Sequence, residues 1–160
     1  LIGMPGCGKS SIGLLLSKLL DIEFYDLDNY IEEKEQKSIT SLFELGEDHF
    51  RQLETKAVRE LHTKTSTIIS TGGGIVTRAE NMTLLRQTGT IFYIDRPIEM
   101  ILSSSDLTNR PLLAKDNNKI YALYKERKHL YEQYCDFSIL NDQSLEIAAD
   151  KIIKIIRKPV

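Results

Sequence analysis

Apolar positions along the chain switch repeatedly between a helical and a strand rhythm. Ile12, Leu15, Leu16, Leu19 and Leu20 recur at helical spacing and predict a helix that Asp21 ends. Glu23-Phe24-Tyr25 predicts a short strand. Tyr30 to Lys37 is charged and helical, Ser38-Ile39-Thr40 is a break, and Ser41 to Glu44 opens a short helix that Gly46 ends. Glu47 to His62 places Phe50, Leu53, Ala57, Val58 and Leu61 on one side of a long helix. Thr67 to Ser70, rich in β-branched residues, predicts a strand that runs straight into Gly72-Gly73-Gly74. Arg78 to Gln87 reads as a helix, Thr90 to Ile94 as a buried strand, and Pro97 to Ser103 as a helix with proline near its first turn. Ser104 to Asn118 is polar, irregular and carries Pro111, which predicts a mobile surface lid over about 104–118. Lys119 to Tyr134 predicts an amphipathic helix, Phe137 to Leu140 a last strand, and Gln143 to Arg157 a closing helix.

Strands alternating with helices predict an α/β fold with a parallel sheet. Ligands of such sheets bind beyond the carboxyl ends of the strands. The residues to inspect are therefore those that follow each strand: Asp26 and Asp28, Gly72 to Gly74, Asp95 and Arg96, Asn141 and Asp142, and the segment after Leu1-Ile2.

That last segment is Gly3-Met4-Pro5-Gly6-Cys7-Gly8-Lys9-Ser10, which fits G-x-x-x-x-G-K-[ST] between a strand end and a helix, the context a P-loop requires. Backbone amides freed by glycine, with the first turn of the following helix, make a nest for phosphates. Lys9 adds a mobile charge for the β- and γ-phosphates, and the Ser10 hydroxyl is placed to ligate Mg²⁺. The loop identifies a phosphate chain, not the group that receives the phosphoryl.

Composition narrows the class. A chain of 160 residues with 41% hydrophobic and 28% charged residues is expected to form one soluble domain over 1–160. A net charge of −2 argues against nucleic-acid binding through bulk charge. No run approaches the roughly 18 apolar residues of a membrane span, and no signal peptide is evident. Two cysteines, Cys7 and Cys135, do not make a disulfide framework, so a reducing cytoplasm is expected; a monomer is expected as well. The chain opens on Leu1 without an initiator Met, and a central strand normally needs about five residues, so a few residues are expected to precede this numbering.

Several residue groups can carry chemistry. Asp26 and Asp28 sit where a strand gives way to a helix. Asp26 can hold Mg²⁺, and Asp28 can accept a hydrogen bond or a proton from an acceptor hydroxyl; one of them can also simply cap the helix. Arg51 and Glu54 share a helix face. As an exposed pair they are worth only about 0.3–0.5 kcal/mol; oriented by Glu54, Arg51 can instead grip a carboxylate bidentately. Three consecutive glycines at a strand end permit close approach to a ligand. Arg110, in the polar segment, can close over a transferring phosphate. Arg127, in Lys125-Glu126-Arg127-Lys128-His129, reads on its own as one charge on a solvated helix face. His49, His62 and His129 have no metal or acid–base spacing, and Cys7 reads as a filler of the loop rather than a nucleophile.

Taken together, these motifs resemble the shikimate kinase family over nearly the whole chain. The resemblance rests on the P-loop, Phe24-Tyr25-Asp26-Leu27-Asp28, Ser38-Ile39 with Phe43 and Gly46-Glu47, Phe50-Arg51-Gln52-Leu53-Glu54, Ser70-Thr71-Gly72-Gly73-Gly74, Asn109-Arg110-Pro111-Leu112-Leu113, and Arg127 with Leu130-Tyr131-Glu132. It implies a three-layer α/β/α P-loop fold with a five-stranded parallel sheet, substrate-binding helices over about 26–62 and the lid already noted. It implies transfer of the ATP γ-phosphoryl group to the 3-hydroxyl of shikimate, on the route to chorismate and the aromatic amino acids. Shikimate would then meet Asp28, Arg51, Gly72, Gly73, Gly74 and Arg127. ATP would meet Gly6, Cys7, Gly8, Lys9, Ser10, Ser11 and Arg110, with Mg²⁺ on Ser10 and Asp26. Lys9, Asp28 and Arg110 would be the catalytic residues. Two departures stand out. Leu102-Ser103-Ser104-Ser105 lacks the arginine that lies against adenine in many relatives, which turns attention to Asn141-Asp142-Gln143-Ser144. Tyr134-Cys135 replaces a usual small residue. The competing readings are a kinase for gluconate or a nucleoside monophosphate, a non-catalytic nucleotide or shikimate sensor, and a GTPase switch. The last lacks an Asn-Lys-x-Asp segment, and a degenerate sensor usually loses the loop lysine or the lid arginine.

Overall fold

The computed structural model describes residues 1–104 and 117–158. Four strands, β1 (Glu23–Asp26), β2 (Thr67–Ser70), β3 (Phe92–Asp95) and β4 (Phe137–Leu140), alternate with helices α1 (Lys9–Leu20), α2 (Leu27–Glu35), α3 (Ile39–Glu44), α4 (Glu47–Leu61), α5 (Ala79–Thr88), α6 (Ile98–Leu102), α7 (Asn117–Tyr134) and α8 (Leu145–Ile156). A 3₁₀ turn, Ile75–Thr77, follows the triple glycine.

Among the described residues the expected count of five strands is not confirmed. Strands β1 and β2 form one parallel pair, and β3 and β4 another. The two pairs are joined by Leu1 and Ile2. The Leu1 nitrogen donates to Ile69 O at 2.6 Å, and Thr71 N donates to Leu1 O at 3.1 Å. On the other side, Ile2 N donates to Phe92 O at 2.9 Å and Ile94 N to Ile2 O at 2.8 Å. Two residues ahead of Gly3 supply one parallel bridge, Ile2 with Tyr93, and no ladder. The order across the molecule is still β1, β2, the Leu1-Ile2 segment, β3, β4, so the P-loop leaves from the middle.

Caps explain where helix boundaries depart from the periodicity. Asp26 accepts from Asp28 N and Asn29 N, so α2 begins at Leu27, three residues before the expected start at Tyr30. Ser38 caps α3 and Ser144 caps α8 in the same way. Gly8, in the left-handed region at φ 96°, lets α1 begin at Lys9 immediately after the loop. The core runs through Ile2, Leu16, Val58, Tyr93, Ile94, Ile101 and Ala149, all at most 1% exposed. Helix α4 packs against α2 and α5, and α7 packs against the 3₁₀ turn, which sets the helices of the acceptor side around Gly72–Gly74.

Candidate active site

The donor half is the loop between Ile2 and α1. A Cβ on Gly3 would stand 2.7 Å from Ile94 O, so only glycine lets the chain turn off the sheet there. Lys9 is buried at 5% exposure, with Nζ donating to Gly3 O at 2.9 Å and Met4 O at 2.8 Å, and lying 3.6 Å from Cys7 Sγ. The Cys7 thiol is wholly buried, and the Cys7 N–H donates to Met4 O at 3.2 Å, so that amide serves the loop itself. Gly6 has positive φ, and Ser11 is exposed in the first turn of α1. Asn141, at the end of β4, is 2% exposed and donates from Nδ2 to Cys7 O at 2.9 Å. Its side chain is committed to bracing the loop, a role the strand-end position alone did not disclose.

Ser10 Oγ donates to the Asp26 carboxylate and lies 3.3 Å from Ser70 Oγ. Asp26 thus serves two ends at once: Oδ1 caps α2 while Oδ2 meets Ser10. A hydroxyl and a carboxylate make a hard oxygen set beside the phosphate nest. This suits Mg²⁺, which takes one or two protein oxygens and completes its shell with water and phosphate.

The acceptor half is a cavity of about 450 Å³. Asp28, Arg51, Glu54, Gly72, Gly73, Gly74 and Arg127 all line it, with Pro5 of the loop and the rings of Phe43 and Phe50. Arg51 and Glu54 are no surface pair. Glu54 is 0% exposed and Arg51 8%, and Nη1 of Arg51 donates to Glu54 Oε2 at 2.6 Å. Nη2 reaches Glu47 Oε1 at 3.2 Å, and the guanidinium lies 5.7 and 5.6 Å from the Phe43 and Phe50 ring centres. Burial pushes the Glu54 carboxyl above its ordinary value; Arg51 opposes this, and Asp28 adds to it. Burial acts to lower Arg51, but Glu54 and Glu47 together carry it upward. Buried Arg51 Nε and Glu54 Oε1 have no hydrogen-bond partner among the described residues.

Arg127 is likewise not a solvated charge. It is buried at 7% exposure, on the α7 face turned to the cavity, where Glu126 Oε1 accepts from its Nε at 3.5 Å. The triple glycine is explained by packing rather than by turn geometry, since none of the three has positive φ. A Cβ on Gly72 would stand 2.9 Å from Glu54 Oε1 and 3.0 Å from Asp28 Oδ1. On Gly73 it would strike Pro5 at 2.6 Å, and on Gly74 the Arg51 guanidinium at 2.2 Å. The turn is therefore wedged between the phosphate loop and the acceptor side chains. Arg110 lies outside the described residues. Glu47, Phe43 and Pro5 were legible only as parts of motifs, because nothing local marks them as cavity residues.

A P-loop beside a cavity lined by two buried arginines and several carboxylates, Asp28 and Glu54 among them, defines a P-loop phosphotransferase acting on a small acceptor. Comparison with known proteins gives the particular one. A family model described as shikimate kinase matches residues 5–157. Shikimate kinase from Clostridium botulinum is 46% identical over 156 residues, 98% of this chain and 94% of that protein. The Clostridium beijerinckii enzyme is 47% identical over 155 residues, 97% and 92% of the two chains. Among solved structures, shikimate kinase from Acinetobacter baumannii in complex with shikimate superimposes with a TM-score of 0.89 at 36% identity, covering 97% of this chain and 89% of that one. The chain belongs to the shikimate kinase family. It is an ATP-dependent enzyme that phosphorylates the 3-hydroxyl of shikimate in aromatic amino acid biosynthesis.

Proposed function

We propose that this reaction runs between the Gly3–Ser10 loop, which holds ATP, and the cavity under α3 and α4, which holds shikimate. The observation that supports it is the convergence of Asp28, Arg51, Gly72–Gly74 and Arg127 on one cavity that touches the P-loop at Pro5. Arg51 and Arg127 hold the shikimate carboxylate, whose charge offsets two cations kept from water. Asp28 orients the 3-hydroxyl and accepts its proton as the 3-oxygen bonds to the γ-phosphorus and the bond to the β-phosphate oxygen of the leaving ADP breaks. Lys9 moves from the loop carbonyls to the phosphates. Ser10 and Asp26 hold Mg²⁺, which when bound neutralises phosphate charge. Arg110, assigned from sequence, adds positive charge at the transferring group. The enzyme is proposed to act as a monomer of one domain in the cytoplasm, which suits the free thiols Cys7 and Cys135. No described helix is long and apolar enough to cross a membrane.

Asp28→Asn tests the acceptor chemistry in a coupled ADP-release assay with ATP, Mg²⁺ and shikimate. Turnover should fall by roughly 10²–10⁴-fold, the usual worth of a positioned base. Wild-type turnover in this variant removes Asp28 from the chemical step.

A further inference from the structure

Tyr131 lies on α7, one helical turn beyond Arg127, and is 0% exposed. Its ring stacks on Tyr93 with centroids 5.2 Å apart. Packing of that kind asks only for a phenyl ring, so the hydroxyl needs its own account. A buried hydroxyl is costly unless it finds a partner. This one donates to Gly73 O at 2.5 Å, across 58 residues of sequence, and reaches Met4 Sδ of the P-loop at 3.9 Å. Gly73 C=O and the following N–H belong to one planar trans unit. Fixing the carbonyl therefore fixes the orientation of the whole Gly73–Gly74 peptide, which faces Pro5 on one residue and the Arg51 guanidinium on the next. Glycines restrain that peptide poorly by themselves.

We infer that Tyr131 is a positioning residue for the acceptor: its hydroxyl holds the Gly73–Gly74 peptide in register with Arg127 on its own helix and with Arg51 across the cavity. The inference rests on the assignment of this cavity to shikimate. Arg127 is near enough for its charge to act on the same hydroxyl, so α7 presents a carboxylate-binding cation and the brace of the glycine turn on one face. Burial holds the phenol well above the ordinary tyrosine range, so it remains a donor at any working pH.

Tyr131→Phe keeps the ring and its stacking and removes only the hydroxyl, with its bond to Gly73 O and its contact with the Arg127 side chain. The expected result is a KM for shikimate raised by about tenfold, with kcat and the KM for ATP within about twofold of wild type. Arg127→Leu, measured alongside, separates the inference from its foundation. If Arg127→Leu binds shikimate normally, the cavity assignment itself fails. If Arg127→Leu is impaired and Tyr131→Phe is not, the assignment stands and the role of Tyr131 is refuted. Equal rises in both KM values with a lowered Tm mark a general structural loss, and overturn it as well.

Discussion

At the scale of single residues, the decisive pair is Arg51 with Glu54. Spacing of three puts them on one helix face and no more. An exposed pair and a buried one look identical in sequence, yet a buried carboxylate depends on its cation for several kcal/mol rather than a few tenths. The structure places Glu54 at 0% exposure, with a carboxyl pushed up by burial. Arg51→Leu removes the charge that opposes this, so the Glu54 value should rise further. An acid raised in the folded state binds its proton more tightly there than in the unfolded chain. Its stability is then full below the ordinary value of 4.5 and is lost as pH climbs through the raised one. The loss of Tm in Arg51→Leu relative to wild type should therefore be larger at about pH 7.5 than at about pH 5. The same loss at both pH values would show that Glu54 is not the group left unpaired. Arg127 teaches the same lesson: a charge run is indistinguishable from a cavity cation until α7 is packed.

At the scale of elements, caps and strand ends carry the information. Asp26 ends β1, caps α2 and meets Ser10, so one side chain ties the donor loop to the helix that presents Asp28. Both aspartates were visible as strand-end residues; that helix formation starts between them, at Leu27, follows from the cap. Asn141 shows what an element end hides. The missing arginine before the lid drew attention to the Asn141–Ser144 turn as an adenine contact; the buried Asn141 amide itself spans 134 residues of sequence to hold the Cys7 carbonyl. Asn141→Ala should loosen the loop and raise the KM for ATP by about fivefold, one hydrogen bond's worth, while the KM for shikimate stays within about twofold. Unchanged ATP kinetics would show that the loop does not need this brace.

At the scale of the molecule, α2, α4, α7 and the glycine turn all contribute residues to the acceptor cavity, and a ligand there bridges all four. Shikimate at about a hundred times its Kd should add about 2.7 kcal/mol of stability, a rise in Tm of roughly 5–10 °C for a chain of this size. Gluconate and AMP at the same concentration should leave Tm unchanged, and a thermal-shift series decides between the three acceptors. Much of this architecture was legible in the apolar rhythm: four strands and most helices fall near where periodicity puts them, while α2 starts earlier at Leu27, α3 takes in Ile39 and Thr40 of the expected break, α7 takes in Asn117 and Asn118 of the expected lid, and the 3₁₀ turn Ile75–Thr77 had no local signal. The fifth strand was not confirmed: between the two pairs the described residues show one bridge, Ile2 with Tyr93.

What the sequence determined by itself is the local part: the P-loop with its glycines and lysine, the alternation of strand and helix, and a set of motifs whose order matches one kinase family. Those are readable because backbone freedom, periodicity and spacing act over a few residues. Only the tertiary structure decided that Arg51, Glu54 and Arg127 are buried, that the triple glycine exists to admit Pro5 and Arg51, and that Tyr131 and Asn141 brace the two halves of the site. Burial and contact between residues 58 or 134 positions apart depend on how elements pack, and no local pattern records that.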